Sequence, residues 1–263
     1  MAPAGTVTNA DDCDDSDGAV NPGAVEACDD GVDDNCDGQV DEGCVEQCNG
    51  AELTNHWTLD GDGLDVGGSD FATFGNVSWV PGVDGLALRI NGQGGGASTA
   101  DLLSGFGTGP FTVTAWVNYH GDFVGHVRHE HIFFSTDNGR LRDVDLFAER
   151  GGGQTYFWTQ GLGTQWYTFG TASWIGQQDT WHLIALGRDA NGTQYLCENG
   201  VVTGSDGRWS NFQHGSGAEF FLGRNPYENG GRSFPGAFDD VRLYDDWIGA
   251  AGCDQLFTTT TCN

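Results

Sequence analysis

Oxygen-bearing side chains recur at alternate positions in an acidic segment near the N-terminus. From Asp33 onwards, oxygen donors fall at loop positions 1, 3 and 5, Gly38 falls at position 6, and position 7 offers its main-chain carbonyl, as in a calcium-binding loop. Cys44 stands at position 12, where such loops carry a bidentate Glu, so a carboxylate at position 9 or 10 must complete the shell. The predicted calcium ligands of this loop are Asp33, Asn35, Asp37, Gln39, Asp41 and Glu42.

A second, less regular cluster of oxygen donors surrounds Cys13. Its predicted metal ligands are Asp12, Asp14, Ser16 and Asp17. The alternative is a solvated acidic tail, which is the usual fate of a run of carboxylates. The spacing of Gly38 and of the aliphatic Val40 favours a metal site, and donors that are all oxygen favour Ca²⁺ over a soft metal.

The net charge excludes several classes of partner. The 263 residues carry 38 Asp and Glu against ten Arg and no Lys, which gives a formal net charge of -28. Phosphate recognition needs a cationic surface, so neither nucleic acid nor an anionic membrane surface is an expected partner. No apolar stretch is long enough for membrane insertion. Residues 1–48 hold 14 of the 38 carboxylates and no Arg, so they must be disordered or else stapled and filled with metal.

The eight cysteines indicate an oxidising compartment and therefore an extracellular location, secreted or on the cell surface. Thiolate zinc sites would need paired C-x2-C spacings, and none occurs. The cysteines predicted to form disulfides are Cys13, Cys28, Cys36, Cys44, Cys48, Cys253 and Cys262, and the state of Cys197 is left open. Spacing does not define connectivity. Our working assignment pairs Cys13 with Cys28 and Cys36 with Cys44, and Cys48 ties the small module to the C-terminal end.

The acidic segment also resembles a known repeat. Within residues 11–44, the sequence DCDDSDGAVNPGAVEACDDGVDDNCDGQVDEGC resembles the MopE-type Asp/Cys-rich metal-binding repeat of secreted bacterial proteins. Gly18, Val25 and Asn35 replace residues that are common in the repeat, and none of these changes removes the ligand pattern. The resemblance implies a bound divalent ion.

Residues 49–263 have the pattern of an all-β domain that must position the remaining candidates. Short apolar or alternating runs, bounded by Gly, Asn and Asp, predict strands at residues 53–59, 77–80, 87–90, 111–119, 131–135, 144–148, 155–159, 166–169, 181–188, 194–198, 220–222 and 237–244. A short helix is predicted within residues 247–256. The sequence thus predicts two domains, an Asp/Cys-rich calcium-binding module at residues 1–48 and a sandwich or jelly roll at residues 49–263.

Four segments of the larger domain resemble LamG-like jelly rolls, in the same order. They are GVDGLALRING at residues 82–92, FTVTAWV at 111–117, WHLIALGRD at 181–189 and FPGAFDDVRLY at 234–244. One departure is Cys197, which opens a hairpin where relatives usually carry Tyr. The resemblance implies the concanavalin A-like lectin/glucanase superfamily. The predicted fold class is therefore all-β, a concanavalin A-like (LamG-like) β-sandwich or jelly roll with a small disulfide-stapled calcium-binding N-terminal module.

That superfamily holds lectins, adhesion modules and glycosidases, so fold alone does not select a function. Asp143, Asp145 and Glu149 share one face of a predicted strand and superficially resemble the E-x-D-x-x-E strand of its glucanases. Asp replaces the first Glu, however, and the spacing to Glu149 is one residue too long. We therefore expect a polar strand face or a cation site, and no enzyme.

Aromatic residues are concentrated between residues 154 and 176. Aromatic rings stack under sugar faces in many β-sandwiches, but few aliphatic residues are available here, so most of these rings must fill the core. Trp158, Trp166 or Tyr167 are the members expected to remain exposed and to bind ligand.

A further cation site is predicted at the rim of the sandwich. Asp239 is in register with Ala237 and Val241 in the last strand, so its carboxylate faces the core near a strand end and must be paired or metal-bound. Asp60 and Asp62, in a Gly-rich turn after the first strand, are the predicted co-ligands. Pairing of Asp239 with an Arg is the alternative.

The histidines His126, His129 and His131, with His120 nearby, form a group that could hold Zn²⁺ or Cu²⁺. No fourth ligand is evident, so surface or hydrogen-bonded histidines are the preferred interpretation.

Together these features predict a secreted, calcium-binding, non-enzymatic protein that binds a glycan or another cell-surface or matrix ligand. Ca²⁺ is the expected cofactor. One alternative is a structural subunit that self-associates into an extracellular fibre or coat. Another is a glycoside hydrolase of the same superfamily.

Overall fold

The chain divides into two compact units, residues 1–46 with residue 263, and residues 47–262. The computed structural model describes residues 13–14, 16–24, 32–40, 46–65, 68–100, 102–103, 106, 108–121, 129–137, 141–149, 154–158, 167–168, 177–207, 219–225 and 232–262. No helix in these ranges is long and apolar enough to cross a membrane.

The larger unit is built from strands, followed by a C-terminal helix. The strands are β1 (Gln47–Cys48), β2 (Ala51–Trp57), β3 (Ala72–Phe74), β4 (Val77–Pro81), β5 (Leu86–Ile90), β6 (Gly96–Ala100), β7 (Phe111–Tyr119), β8 (His129–Asp137), β9 (Leu141–Glu149), β10 (Gln154–Trp158), β11 (Tyr167–Thr168), β12 (Trp181–Arg188), β13 (Gln194–Glu198), β14 (Val201–Asp206), β15 (Glu219–Leu222), β16 (Arg224–Asn225), β17 (Arg232–Ser233) and β18 (Gly236–Tyr244). Helix α1 spans Gly249–Thr259. All twelve predicted strands are present, with ends shifted by at most three residues.

The strands form two antiparallel sheets. The first sheet runs β1-β2-β18-β7-β12-β13-β14, with β5 beside β18 and β4 beside β5. The second sheet runs β11-β10-β9-β8-β15-β6-β3, and β16 pairs separately with β17. The predicted fold class, a β-sandwich, is confirmed.

The hydrophobic core lies between the two sheets. Ile184 and Phe238 from the first sheet pack in one cluster with Phe133, Leu146 and Phe220 from the second. A smaller apolar cluster covers the other face of the first sheet, where residues of α1 pack on β7, β12 and β13. Strand β7 is buried at every residue because both of its faces are covered.

The disulfides partly correct the working assignment. Cys13 and Cys36 are bonded, with Cα atoms 5.6 Å apart, so the predicted pairs Cys13–Cys28 and Cys36–Cys44 are wrong. The reason is that the segment after Cys13 folds back on the predicted calcium loop, where the Asn21 N–H donates to the carbonyl of Asp34 at 2.7 Å. Cys28 and Cys44 lie outside the described residues.

The two C-terminal cysteines differ in bonding state, since Cys262 is in a disulfide and Cys253 is not. Cys48 of β1 is bonded to Cys262, so its predicted connection to the C-terminal end is confirmed. Both cysteines belong to the larger unit, however, so the bond does not tie the small module to that end as predicted. Cys253 was predicted to be disulfide-bonded, but here it is a buried free thiol, as is Cys197. Sequence spacing did not reveal that α1 carries Cys253 to β13.

Burial of His182 in β12 makes stability depend on pH. The Asn199 side-chain amide donates to His182 Nδ1 at 2.8 Å, and burial lowers the pKa of His182 below its ordinary value of 6.5. The fold thus favours the neutral ring, and this stabilisation is complete above the ordinary pKa and lost as the pH falls below it. We expect the unfolding temperature in EGTA to fall more steeply below about pH 6.5 in the wild type than in His182→Gln. Identical pH profiles would contradict this.

Candidate functional site

In the predicted calcium loop, side-chain oxygens accept hydrogen bonds from main-chain N–H groups of the same loop. The two carboxylate oxygens of Asp33 accept main-chain N–H bonds from Asp37 at 3.1 Å and Gly38 at 2.9 Å. Asn35 Oδ1 also accepts from the Asp37 N–H at 2.9 Å, and Asp37 Oδ1 accepts from the Gln39 N–H at 2.9 Å. Gly38 has a φ of 96°, a conformation that favours glycine. The side chains at loop positions 1, 3 and 5 are therefore held over one short turn.

The second acidic cluster is ordered in the same way. Asp14 Oδ1 accepts hydrogen bonds from the hydroxyl of Ser16 at 2.6 Å and from its N–H at 2.9 Å, and these bonds lower the pKa of Asp14. Asp17 Oδ1 accepts from the N–H of Ala19 at 2.9 Å. The Cys13–Cys36 disulfide joins this cluster to the loop. Asp12, Asp41 and Glu42 lie outside the described residues.

The donor chemistry of this module fits a hard cation. The donors named above are oxygens, and the bonded sulfurs of Cys13 and Cys36 cannot act as thiolate ligands. In the part of the chain that the structure describes, no group of three or more His, Cys, Asp or Glu is arranged to hold a metal ion.

At the rim of the larger unit, one tight turn holds two predicted ligands. Val83 and Asp84 donate main-chain N–H bonds to Oδ2 of Asp239 at 2.6 and 3.2 Å. Leu86, two residues on, donates its N–H to Oδ1 of Asp60 at 2.6 Å. The GVDGLAL segment thus brings together carboxylates from the two ends of the domain sequence.

Glycines allow this close approach. A Cβ at Gly82 would overlap Oδ2 of Asp239, and a Cβ at Gly85 would overlap Oδ1 of Asp60. Gly85 also has a φ of +61°. The two glycines of the segment are therefore required by the carboxylates that dock on it.

Asp239 has an unmatched carboxylate oxygen. The residue is fully buried, and its Oδ1 has no hydrogen-bond partner. Burial raises the pKa of Asp239 to about 7, and the neighbouring charge of Asp240 adds to this, although the N–H bonds from Val83 and Asp84 oppose it. Arg pairing, the alternative reading, does not occur: Arg242 Nε instead contacts Asp240 Oδ1 at 3.1 Å.

A pocket of about 150 Å³ contains this site. Asp60 and Asp239 both line it, whereas Asp62 does not and accepts the Leu64 N–H at 3.1 Å instead. Sequence reasoning missed several lining residues, which are His56, Asp84, Asp240 and Arg242. The adjacent pair Asp239-Asp240 in the sequence was a signal for Asp240. The strand pairing shifts between Asp239 and Arg242, and the two carboxylates have different partners: Asp239 accepts N–H bonds from the turn, whereas Asp240 contacts His56 and Arg242.

Asp240 is the centre of a small polar network. Its Oδ1 lies 2.6 Å from Nε2 of His56 and 3.1 Å from Nε of Arg242. The four Asp residues of the pocket therefore face one Arg and one His. The pocket thus has an excess of carboxylates and one unmatched oxygen, on Asp239, although no three of these groups are arranged to hold a metal ion among the described residues.

Strand register puts two of the predicted aromatic ligand residues on opposite faces of the second sheet. Opposed residues of an antiparallel pair lie on the same face of the sheet. Leu146 is buried in the core and is paired with Phe157, which in turn is paired with Tyr167. Tyr167 therefore occupies a position on the core-facing side. Trp158 is paired with Asp145 and occupies a position on the outer face.

The remaining candidates are distributed as follows. Glu149, four residues from Asp145 in β9, occupies the same outer face and is paired with both His129 and Gln154. His131 is fully buried in β8. His120 Nδ1 lies 2.6 Å from Asp179 Oδ1, as expected for a hydrogen-bonded histidine. Trp166 and His126 lie outside the described residues.

Two family models match the chain. One, Laminin G 3 of the concanavalin A-like lectin/glucanases superfamily, matches residues 91–251. The chain belongs to this superfamily. The other, Cu-binding MopE, describes a metal-binding motif and matches residues 12–42. Both resemblances found in the sequence are confirmed. No curated protein matches the chain at a significant level.

Solved structures share the fold. Domain 4 of AbnA, a GH43 extracellular arabinanase from Geobacillus stearothermophilus, in complex with arabinotriose, is 24% identical, with a TM-score of 0.64 over 79% of this chain and 99% of that one. Trypanosoma rangeli sialidase in complex with 2,3-difluorosialic acid is 16% identical (TM-score 0.62, 82% of this chain and 34% of that one). The binding domain of botulinum neurotoxin DC in complex with SialylT is 11% identical (TM-score 0.60, 81% and 52%).

These likenesses establish the fold alone. The chain spans about a third of the sialidase and about half of the neurotoxin binding domain. The fold is shared by enzymes and by binding domains, so function must be argued from the sites.

Proposed function

We propose that this chain is a calcium-binding, non-enzymatic carbohydrate-binding protein that acts in adhesion outside the cell. The position of Trp158 carries the proposal. Its register with Asp145 places it on the face of the second sheet that lies opposite the core. An indole stacks on the apolar face of a sugar ring, and a carboxylate beside it accepts hydrogen bonds from sugar hydroxyls.

The spacing of Asp145 and Glu149 argues against hydrolysis by this pair. Asp145 and Glu149 are four residues apart on one strand, which corresponds to about 13 Å at about 3.3 Å per residue. Retaining glycosidases need carboxyl groups about 5.5 Å apart, and inverting ones at most about 9.5 Å. This pair is too widely spaced for either mechanism.

Calcium is the proposed ion at both acidic sites. In the N-terminal module it would be held by the oxygen donors of the two acidic clusters, including Asp12, Asp41 and Glu42. At the rim, Asp239 and Asp60 would hold it, because Oδ1 of Asp239 is buried without a partner. The MopE family model is named for copper, but all-oxygen donors and bonded cysteines favour Ca²⁺.

An extracellular location is part of the proposal. The Cys13–Cys36 and Cys48–Cys262 disulfides support it, because such bonds persist in oxidising compartments.

Paired variants test the glycan site. Trp158→Ala should weaken binding to immobilised polysaccharide at least about tenfold, the loss expected for one stacking contact of about 1.4 kcal/mol. Tyr167→Ala, at a core-facing position on the next strand, should lower the unfolding temperature and leave the affinity of the folded protein unchanged. Affinity electrophoresis and thermal melts measure both. Full affinity in Trp158→Ala, or lost affinity in a stable Tyr167→Ala, would overturn the assignment.

A further inference from the structure

Two thiols meet beneath α1. Cys197 of β13 and Cys253 of α1 are both free in this structure, and both are 0% exposed. Interaction with Cys197 raises the pKa of the Cys253 thiol above its ordinary value. Neither thiol takes part in the calcium or glycan sites proposed above.

The surroundings of the pair are apolar and already contain one disulfide. Cys197 and Cys253 belong to the same buried cluster as Cys48 and Cys262. The neighbouring Gly252 is in close contact with that bond: a Cβ there would lie 2.7 Å from Sγ of Cys48, and its carbonyl lies 3.9 Å from Sγ of Cys262. We call these four residues the cysteine cluster.

The backbone holds β13 and α1 together at this point. The hairpin after β13 turns at Asn199 and Gly200, which both have positive φ. A Cβ at Gly200 would lie 3.1 Å from Cα of Asp254, so the turn lies against α1 one residue beyond Cys253. The Asn199 side chain fixes the turn to β12, since its Oδ1 accepts the Leu183 N–H at 3.0 Å. The two thiols are thus brought together by the fold itself.

We propose that Cys197 and Cys253 form a disulfide when the chain folds in an oxidising compartment, and that this bond fastens α1 to β13. A thiolate from one cysteine attacks a small disulfide such as oxidised glutathione and forms a mixed disulfide, releasing one glutathione. The second cysteine then displaces the other glutathione. The chain loses two protons and two electrons, and one oxidised glutathione becomes two reduced molecules.

Burial determines when this reaction occurs. Interaction with Cys197 and burial raise the pKa of the Cys253 thiol, so the folded protein holds little of the reactive thiolate. The bond must therefore form during folding, while both cysteines are still accessible. For the same reason, a pair that is still reduced after folding does not exchange with the Cys48–Cys262 disulfide.

Peptide mapping of the full chain tests the proposal without any substitution. The reduced, denatured protein is refolded in a mixture of reduced and oxidised glutathione, alkylated, digested without reductant and analysed by mass spectrometry. We expect one cross-linked peptide that joins Cys197 to Cys253 and another that joins Cys48 to Cys262. Recovery of Cys197 and Cys253 as alkylated thiols would overturn the proposal, as would any pairing between the two sets.

A thiol count gives a second measurement. The refolded wild type, denatured without reductant, should yield alkylated peptides from neither cysteine. Cys197→Ala should yield one alkylated peptide, the one that contains Cys253, and Cys253→Ala should yield the one that contains Cys197. Wild type that yields both alkylated peptides contradicts the proposed bond.

Discussion

We expect replacement of Asp33 by Ala to weaken calcium binding at the proposed N-terminal site by at least about 100-fold, because even the partners that orient a metal ligand contribute about 10- to 100-fold in affinity. Both carboxylate oxygens of Asp33 are already oriented by main-chain bonds from Asp37 and Gly38. The loop is therefore organised around this one side chain. Isothermal titration of the calcium-free protein measures the change.

Gln39→Ala is the matched control for this loop. Position 7 contributes its main-chain carbonyl, so removal of the side chain should leave calcium affinity nearly unchanged. Equal affinity in Asp33→Ala and wild type would show that the loop is not a calcium site. A loss in Gln39→Ala as large as that in Asp33→Ala would point to general disruption of the module.

We expect replacement of Asp239 by Asn to abolish the proposed stabilisation of the larger unit by calcium. At a calcium concentration about 100 times Kd, binding adds about 2.7 kcal/mol, which is about 5 to 10 °C in unfolding temperature for a unit of this size. All nine Trp follow residue 56, so tryptophan fluorescence reports the unfolding of this unit. In EGTA, Asp239→Asn should melt at or above the wild type, since it removes a buried carboxylate with an unmatched oxygen.

Asp62→Asn is the control at the rim. Asp62 does not line the pocket, so this variant should keep the full calcium shift. If Asp239→Asn still responded to calcium and melted lower in EGTA, then Asp239 would serve only as an acceptor for Val83 and Asp84.

The strands that the sequence predicted share one property, which is a run of large apolar or alternating residues. Strands β3, β6 and β14 were missed because ATF, GASTA and VVTGSD lack such a run. Strand β6 is largely buried because β15 and β3 flank it, and this tertiary context is not visible locally. A hydrophobic sequence pattern predicts the strands that have an apolar face of their own. The strands without such a pattern form because neighbouring strands pair with them.

The candidate sites show the same limit. The alternation of β18 predicted a buried Asp239 on the face of Val241. Asp239 is buried, but the strand pairing shifts between Asp239 and Arg242, so Asp239 is paired with Trp116 on the opposite face of the sheet. Strand alternation also could not predict that Asp60 lines the pocket and Asp62 does not, since both residues lie in a turn and the turn determines which carboxylate reaches the pocket. Nor could it separate Trp158 from Tyr167, because the register of β10 and β11 fixes their faces.

A glycan array with the full chain in calcium, in which the same glycans are also assayed for released reducing ends, tests whether this chain binds carbohydrate without cleaving it. We predict retention of at least one glycan, loss of that retention in Trp158→Ala, and no cleavage products. Failure to retain any glycan, or turnover of a retained one, would contradict the proposed function.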